Sequence, residues 1–311
     1  MQQIQHWLEQ HCTDGVHLNS RELVAYRSQT PLLDLTPQKA IQAKLAGAYL
    51  AKTKGRGMEF DEARHYQPGD DIRAIDWRVT ARTGKTHTKL YREEKERPVF
   101  VLTDLSASMH FGTQFMYKSV QAAHLTALIA WAAKKRGDRI GGLIVNQDDY
   151  KELKPKTTKK AVLGLIHGLL AMHRPDSDVP QQTSFAEACA RLRRIARPGS
   201  LVFIISDFRG LDEVAKQHLS RISRHCELTA YMVSDPLEHH LPRVMVPQQV
   251  ALTDGQRTQS IMLGEKRTEQ EYAHRYQARQ NAIKQTLRQC RSQIMPISCA
   301  EPLARQLGGR R

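Results

Sequence analysis

The sequence predicts an α/β protein built on a largely parallel sheet with helices on both faces. Three observations carry that prediction. Short, continuous apolar runs recur after residue 97: PVFVLTD (98–104), RIGGLIV (139–145), SLVFIISD (200–207) and ELTAYMVSD (227–235). Amphipathic stretches of helical period lie between them. Runs that do not alternate mean strands buried on both sides, which a parallel sheet beneath helices provides.

The elements follow in order. Residues 1–54 read as mainly helical. There, Thr36-Pro37 ahead of QKAIQAKLAGAYLAKTK places a cap and a proline at a helix start. Residues 55–97 are polar and punctuated by glycine, and they predict short strands and turns around PGDD (68–71). The pattern changes near Pro98, which divides the chain into a smaller N-terminal helical and short-strand segment, 1–97, and a domain, 98–311. Within that domain a helix is expected over 115–136, ended by Gly137-Asp138. The strand RIGGLIV, a short strand YKELKP, and two helices, KKAVLGLIHGLLAMH and SFAEACARLRRIA, come next. Strand 200–206, a helix over about 211–224 and strand 227–235 follow. Residues 243–263 predict a hairpin turning at Asp254-Gly255. A charged helix over 265–291 and a last strand, QIMPIS, complete the chain.

Composition narrows the function classes. Forty-seven basic residues against thirty-two acidic ones give a net charge of +15, which suits acidic partners or a solvated basic surface. The densest excess is 265–311, with ten Lys/Arg against four Glu, and most of it reads as a solvated helix face. Docking of helix 265–291 on an anionic membrane surface is a weaker reading, because Glu265, Glu269 and Glu271 dilute the charge at its start. The five cysteines contain no CxxC pair, which argues against a zinc ribbon and a disulfide framework. The N-terminus lacks the form of a secretory signal. The most apolar helical window, 122–133, falls well short of the roughly 20 residues that span a bilayer. A soluble, cytoplasmic protein is expected.

The chemistry is expected where the strands end, since open parallel sheets bind ligands beyond their carboxyl ends. The first apolar run leads into Asp104-Leu105-Ser106-Ala107-Ser108. Thr183 precedes the helix SFAEACARLRRIA, and strand 200–206 is followed by Asp207. Two carboxylates and three hydroxyls form a hard-oxygen set of the kind that Mg²⁺, Mn²⁺ or Ca²⁺ prefers, with room left for water and one further ligand. The alternative is that these Ser and Thr residues only cap helices.

This order of D-x-S-x-S, then Thr, then Asp resembles the metal-ion-dependent adhesion site of von Willebrand factor A-type domains. The resemblance implies a Rossmann-like A-type domain with a largely parallel central sheet. It also implies that Ser106, Ser108 and Thr183 touch the metal while Asp104 and Asp207 act directly or through water. The open position would then take a carboxylate from a protein partner. Two departures stand out: Gln182 precedes the threonine where many members have Gly, and Ser206-Asp207-Phe208 stands where many have T-D-G.

Upstream, YQPGDDIRAIDW (66–77) within 55–109 resembles the signature of the bacterial domain-of-unknown-function 58 family, which precedes an A-type domain. That resemblance implies a MoxR-type AAA+ ATPase or its client as partner, in protein maturation or complex assembly. The block Pro68, Gly69, Asp70, Asp71, Arg73, Asp76 and Trp77 has two readings. In the favoured one it is a structural clamp. Pro68-Gly69 turns the chain, Arg73, Arg78 and Arg82 pair with Asp70, Asp71 and Asp76, and Trp77 anchors against the A-type domain. In the other, the three aspartates form a site for a metal-dependent nuclease or phosphoesterase, although no companion His or Glu stands at a diagnostic spacing.

Other motifs carry less. His239-His240 point to different sides of any regular element, His124 and His167 lie on helix faces, and Ser206 lacks a GxSxG elbow. With no GxxxxGK[ST] loop, ATP hydrolysis by that route is not expected. The expected function is therefore a metal-dependent protein-interaction adaptor rather than an enzyme, with nucleic acid ranked below protein as the partner.

Overall fold

The structure is a computed structural model that describes residues 7–9, 13–36, 58–93, 97–175, 183–242, 244–253 and 258–308. The chain forms two compact units, 43–96 and the remainder. The helix expected after Thr36-Pro37 and the turn expected at Asp254-Gly255 lie outside the described residues.

The larger unit is a mixed α/β body around a six-stranded sheet. Its strands are β3 (Pro98–Asp104), β4 (Arg139–Val145), β5 (Tyr150–Lys156), β6 (Leu201–Ser206), β7 (Glu227–Ser234) and β10 (Gln293–Ser298), in the order β10-β7-β6-β3-β4-β5. All neighbouring pairs are parallel except β4–β5. The central strands β3, β4, β6 and β7 are almost wholly buried, as their unbroken apolar runs require. β5 alternates in exposure and closes one edge with Lys151, Lys154, Pro155 and Lys156, while β10 closes the other and contains Pro296.

Alternation along β3 feeds two cores. Val99 and Val101 face a cluster built with α3 (Lys118–Arg136) and α4 (Lys159–Met172). Phe100 and Leu102 face a cluster built with α5 (Phe185–Ile195), α6 (Glu213–Ile222) and the end of α8 (Lys266–Gln289), through Ile283 and Leu287. α3 is buried from Lys118 to Ala133 on every side, so it needs cover on its outer face as well. Residues near the N-terminus supply that cover. In α1 (Ser20–Ala25), held by an Asn19/Glu22 capping box, Leu23 packs into the α3 core, as do Tyr26 and Leu35 nearby. The indole N–H of Trp131 donates to the Leu23 carbonyl at 3.2 Å. Residues 13–36 thus join the larger unit, and the other unit is 43–96.

β8 (Gln248–Thr253) and β9 (Thr258–Leu263) pair as the expected hairpin. Two short helices, α7 (Pro236–His239) and α9 (Leu303–Leu307), also belong to this unit. Among the described residues no helix is long and apolar enough to cross a membrane.

The smaller unit pairs β1 (Met58–His65) with β2 (His87–Glu93) antiparallel. Between them run a 3-10 turn, Ile72–Ala74, and a helix, α2 (Trp77–Thr83). The sequence signals for α2 are clear once seen. Asp76 is its N-cap, accepting from the Arg78 and Val79 amides, and Gly84 ends it with a left-handed φ of 69°.

Candidate functional site

Three adjacent strands, β6, β3 and β4, bring the predicted residues to one end of the sheet. Asp104 is the last residue of β3, and Asp207 directly follows β6. Thr183 is tied to the residues just after β4: its amide donates to the Gln147 carbonyl at 3.0 Å and its hydroxyl donates to the Asn146 and Gln147 carbonyls. Neighbouring strands lie about 4.8 Å apart, so the backbone positions span roughly 10 Å.

Neither the Ser106 nor the Thr183 side chain caps the helix that follows it. The 3-10 helix Ala107–Met109 begins at Ser106, whose side chain makes no capping bond. Ser106 and Ser108 are half-buried. α5 is capped by Ser184, whose hydroxyl accepts from the Glu187 amide, so Thr183 is not the cap. A hydroxyl that donates its proton to a carbonyl, as Thr183 does, turns its lone pairs elsewhere and can still accept a cation.

Asp104 is buried, with Oδ1 accepting the Ser106 amide at 2.9 Å and Oδ2 accepting the Ser206 hydroxyl at 2.5 Å. Burial first, and then the neighbouring Asp207 carboxylate, push the Asp104 carboxyl above its ordinary range. Asp207 is in the opposite state. Burial opposes its charge, but the Lys118 ammonium at 2.8 Å from Oδ2, together with the Arg209 amide and guanidinium, holds its pKa below the ordinary value. Oδ1 of Asp207 accepts the Arg209 amide at 3.0 Å.

Lys118 is itself completely buried and reaches Glu238 at 2.9 Å, and Arg209 reaches the same Glu238 oxygen at 2.7 Å. Burial opposes the charge on both cations, yet Asp207 and Glu238 raise the pKa of each. The cluster therefore holds three carboxylates against two cations. Among the described residues Asp104 has no cation at ion-pair distance.

Lys118, Arg209 and Glu238 were not singled out from the sequence. A weak signal existed for two of them. A lysine in the first turn of a helix opposes the helix dipole, and Lys118 opens α3. Glu238 closes the Asp235-Pro236-x-Glu238 capping box that starts α7.

The Ser206-Asp207-Phe208 departure has a structural counterpart. Phe208 adopts φ 58°, the left-handed backbone that a glycine would take there without cost. Its ring is buried and packs edge-on against Phe185 at 5.7 Å. The Phe208 amide donates to the Ser206 hydroxyl, which in turn donates to Asp104, so this turn also orients Asp104.

The donor set fits a hard cation. A buried carboxylate with no counter-ion among the described residues, the Ser106 and Thr183 hydroxyls not spent on caps and a second carboxylate one strand away make an oxygen-rich, net negative site.

In the smaller unit the PGDD block is arranged differently from the expected ion pairs. Pro68 and Gly69 form the turn, with Gly69 at φ 105°. Asp70 accepts the Gln67 amide at 2.9 Å and pairs with Arg64 at 2.7 Å. Asp71 accepts the Arg73 amide, and Asp76 caps α2 with Lys89 4.0 Å away. The guanidinium groups of Arg73, Arg78 and Arg82 therefore do not pair with these aspartates, whose oxygens are taken by nearer groups in the turns. Trp77 is 68% exposed. Among the described residues no group of three or more His, Cys, Asp or Glu is arranged to hold a metal, and Asp70, Asp71 and Asp76 form no such group.

Comparison with known proteins adds kinship without a function. Residues 62–284 match the family described as a protein of unknown function, DUF58. Uncharacterized proteins from Mycobacterium bovis and Mycobacterium tuberculosis are 32% identical over 212 residues, covering 68% of this chain and 66% of theirs. The match thus spans just under two thirds of these relatives' length. The crystal structure of the conserved hypothetical protein BatB from Bacteroides thetaiotaomicron is 17% identical over 62% of this chain and 98% of its own, with a TM-score of 0.38.

Proposed function

We propose, from the premise that this chain belongs to the DUF58 family, that it is a metal-dependent protein-interaction module whose larger unit is a von Willebrand A-type domain. One observation carries the proposal: Asp104 and Asp207 stand at the ends of adjacent strands and Thr183 is hydrogen-bonded to the residues that follow a third, with a buried carboxylate there that has no cation at ion-pair distance among the described residues. Asp104, Ser106, Ser108 and Thr183 would hold a divalent ion such as Mg²⁺. Asp207 has both oxygens engaged by Lys118 and Arg209, so it would reach the ion through water. A bound ion supplies a Lewis-acidic open position for a partner's carboxylate.

The chain's own residues prepare that position. Lys118 and Arg209 neutralise Asp207 and Glu238, which leaves Asp104 as the uncompensated carboxylate beside the ion. One carboxylate against a divalent cation leaves net positive charge, and an incoming carboxylate is attracted to it. Hydroxyl-rich ligands supply no obvious general base, which supports binding over hydrolysis. The DUF58 kinship makes a MoxR-type AAA+ ATPase, or its client, the first protein partner to test.

Asp104→Asn tests the site. The neutral amide relieves the burial penalty on Asp104, so stability without metal stays within about 1 kcal/mol of the parent. Stabilisation by added Mg²⁺ or Mn²⁺ in thermal denaturation should disappear. An undiminished metal response in this variant would overturn the assignment.

A further inference from the structure

The smaller unit carries a surface that the metal site does not use. α2 presents Trp77, Arg78, Ala81 and Arg82 to solvent, while Val79 and Thr80 turn partly inward. These four exposed positions span about 140° of the helix, which is one continuous face. Ile72, 66% exposed, and Arg73 precede it in the 3-10 turn, and Lys85 follows. Among the described residues none of Arg73, Arg78, Arg82 and Lys85 forms an ion pair, because the neighbouring aspartates are engaged elsewhere. Two large apolar side chains therefore sit exposed among four unpaired cations.

The backbone beneath them is fixed. The Asp76 amide donates to the His87 carbonyl at 2.8 Å, Ile75 bridges to Thr88 on β2, and Asp76 caps the helix that Gly84 ends. Such a surface presents its side chains without first having to order its own backbone, which lowers the cost of binding.

We propose that this face docks an acidic protein segment bearing an apolar anchor. Arg78 and Arg82, at i and i+4, lie about 6 Å apart on the helix. That spacing matches carboxylates one turn apart on a partner helix, or two residues apart on an extended chain. Planar guanidinium groups take carboxylates in bidentate fashion. Trp77 and Ile72 form the apolar floor, and exposed Trp and Arg are the residue types that dominate binding hot spots. Single-stranded nucleic acid is the less suited ligand. It uses successive aromatic platforms along a groove, whereas this face has one aromatic side chain and an aliphatic neighbour that offers no ring to stack on.

The test uses the full chain. The difference in iodide quenching between the parent and Trp77→Phe reports whether Trp77 is open. Binding is then measured by fluorescence anisotropy with a labelled Glu/Leu amphipathic peptide, against labelled oligothymidylate. The parent is expected to show a quenchable Trp77 and to bind the peptide. Trp77→Ala and the pair Arg78→Glu/Arg82→Glu should each weaken that binding about tenfold or more. A charge-matched control on β5, Lys154→Glu/Lys156→Glu, should leave it within about twofold. The proposal is overturned if Trp77 is shielded from iodide, if the β5 control loses as much affinity as the α2 pair, or if oligothymidylate binds more tightly than the peptide.

Discussion

Replacing Lys118 with Met isolates the electrostatic logic of the site. The ammonium is fully buried and makes two ion pairs, at 2.8 Å to Asp207 and 2.9 Å to Glu238. Methionine keeps much of the apolar volume and removes the charge. Removing one partner of a buried pair costs about 3–5 kcal/mol, because it leaves the other charge uncompensated. Arg209 remains 2.7 Å from Glu238 and 3.5 Å from Asp207, so the loss should lie near the lower end, about 3 kcal/mol. For a body of this size that is a fall in Tm of roughly 6–12 °C. Added metal changes the balance. With Lys118 gone, Asp207 loses its nearer cation and can take a larger part in binding a divalent ion, so the variant should gain more from Mg²⁺ than the parent does. At a hundredfold excess over Kd, binding alone contributes about 2.7 kcal/mol, nearly the whole deficit. Differential scanning calorimetry with and without Mg²⁺, in parent and variant, measures both quantities. A variant as stable as the parent, or one destabilised but no more responsive to metal, would refute the reasoning.

Two further outcomes are expected. Phe208→Gly relieves about 1–2 kcal/mol of left-handed strain but removes a buried ring whose truncation costs about 3–5 kcal/mol, so chemical denaturation should show a net loss of roughly 1–4 kcal/mol; a gain would show that the strain outweighs the packing. Glu22 is buried beside His124, with Nε2 3.4 Å from Oε2. Burial opposes its charge, but His124 and the Asn19 amide hold its pKa below the ordinary carboxylate value. A carboxylate depressed by folding contributes stability above its unfolded pKa, and that contribution fades as pH falls toward the folded value. Parent stability should therefore fall in acid more steeply than that of Glu22→Gln, and parallel pH profiles by urea denaturation would sink this assignment.

The strands were legible because burial on both faces leaves a mark that local sequence preserves: PVFVLTD and SLVFIISD cannot be confused with half-exposed strands. The order of Asp104, Ser106, Ser108, Thr183 and Asp207 was legible for a related reason, since strand ends fix where loops begin. What the sequence hid depends on contacts distant along the chain. Lys118 lies 89 and 120 residues from its two partners, and nothing nearby marks it as buried. The joining of residues 13–36 to the larger unit was hidden in the same way, although α3 gave a hint. A helix apolar on every side needs a second cover, and Leu23, Tyr26 and Leu35 provide it. α2 was missed although Asp76 and Gly84 bracket it, because its seven residues show no apolar stripe.

The two outermost strands of the large sheet share one detail. β5 carries Pro155 among three lysines, and β10 carries Pro296. A proline has no amide hydrogen to offer, and lysines along a rim repel an approaching backbone. Neither rim can readily recruit another chain as an extra strand. These rims disfavour the addition of a strand to the large sheet, whether from another copy or from a different chain.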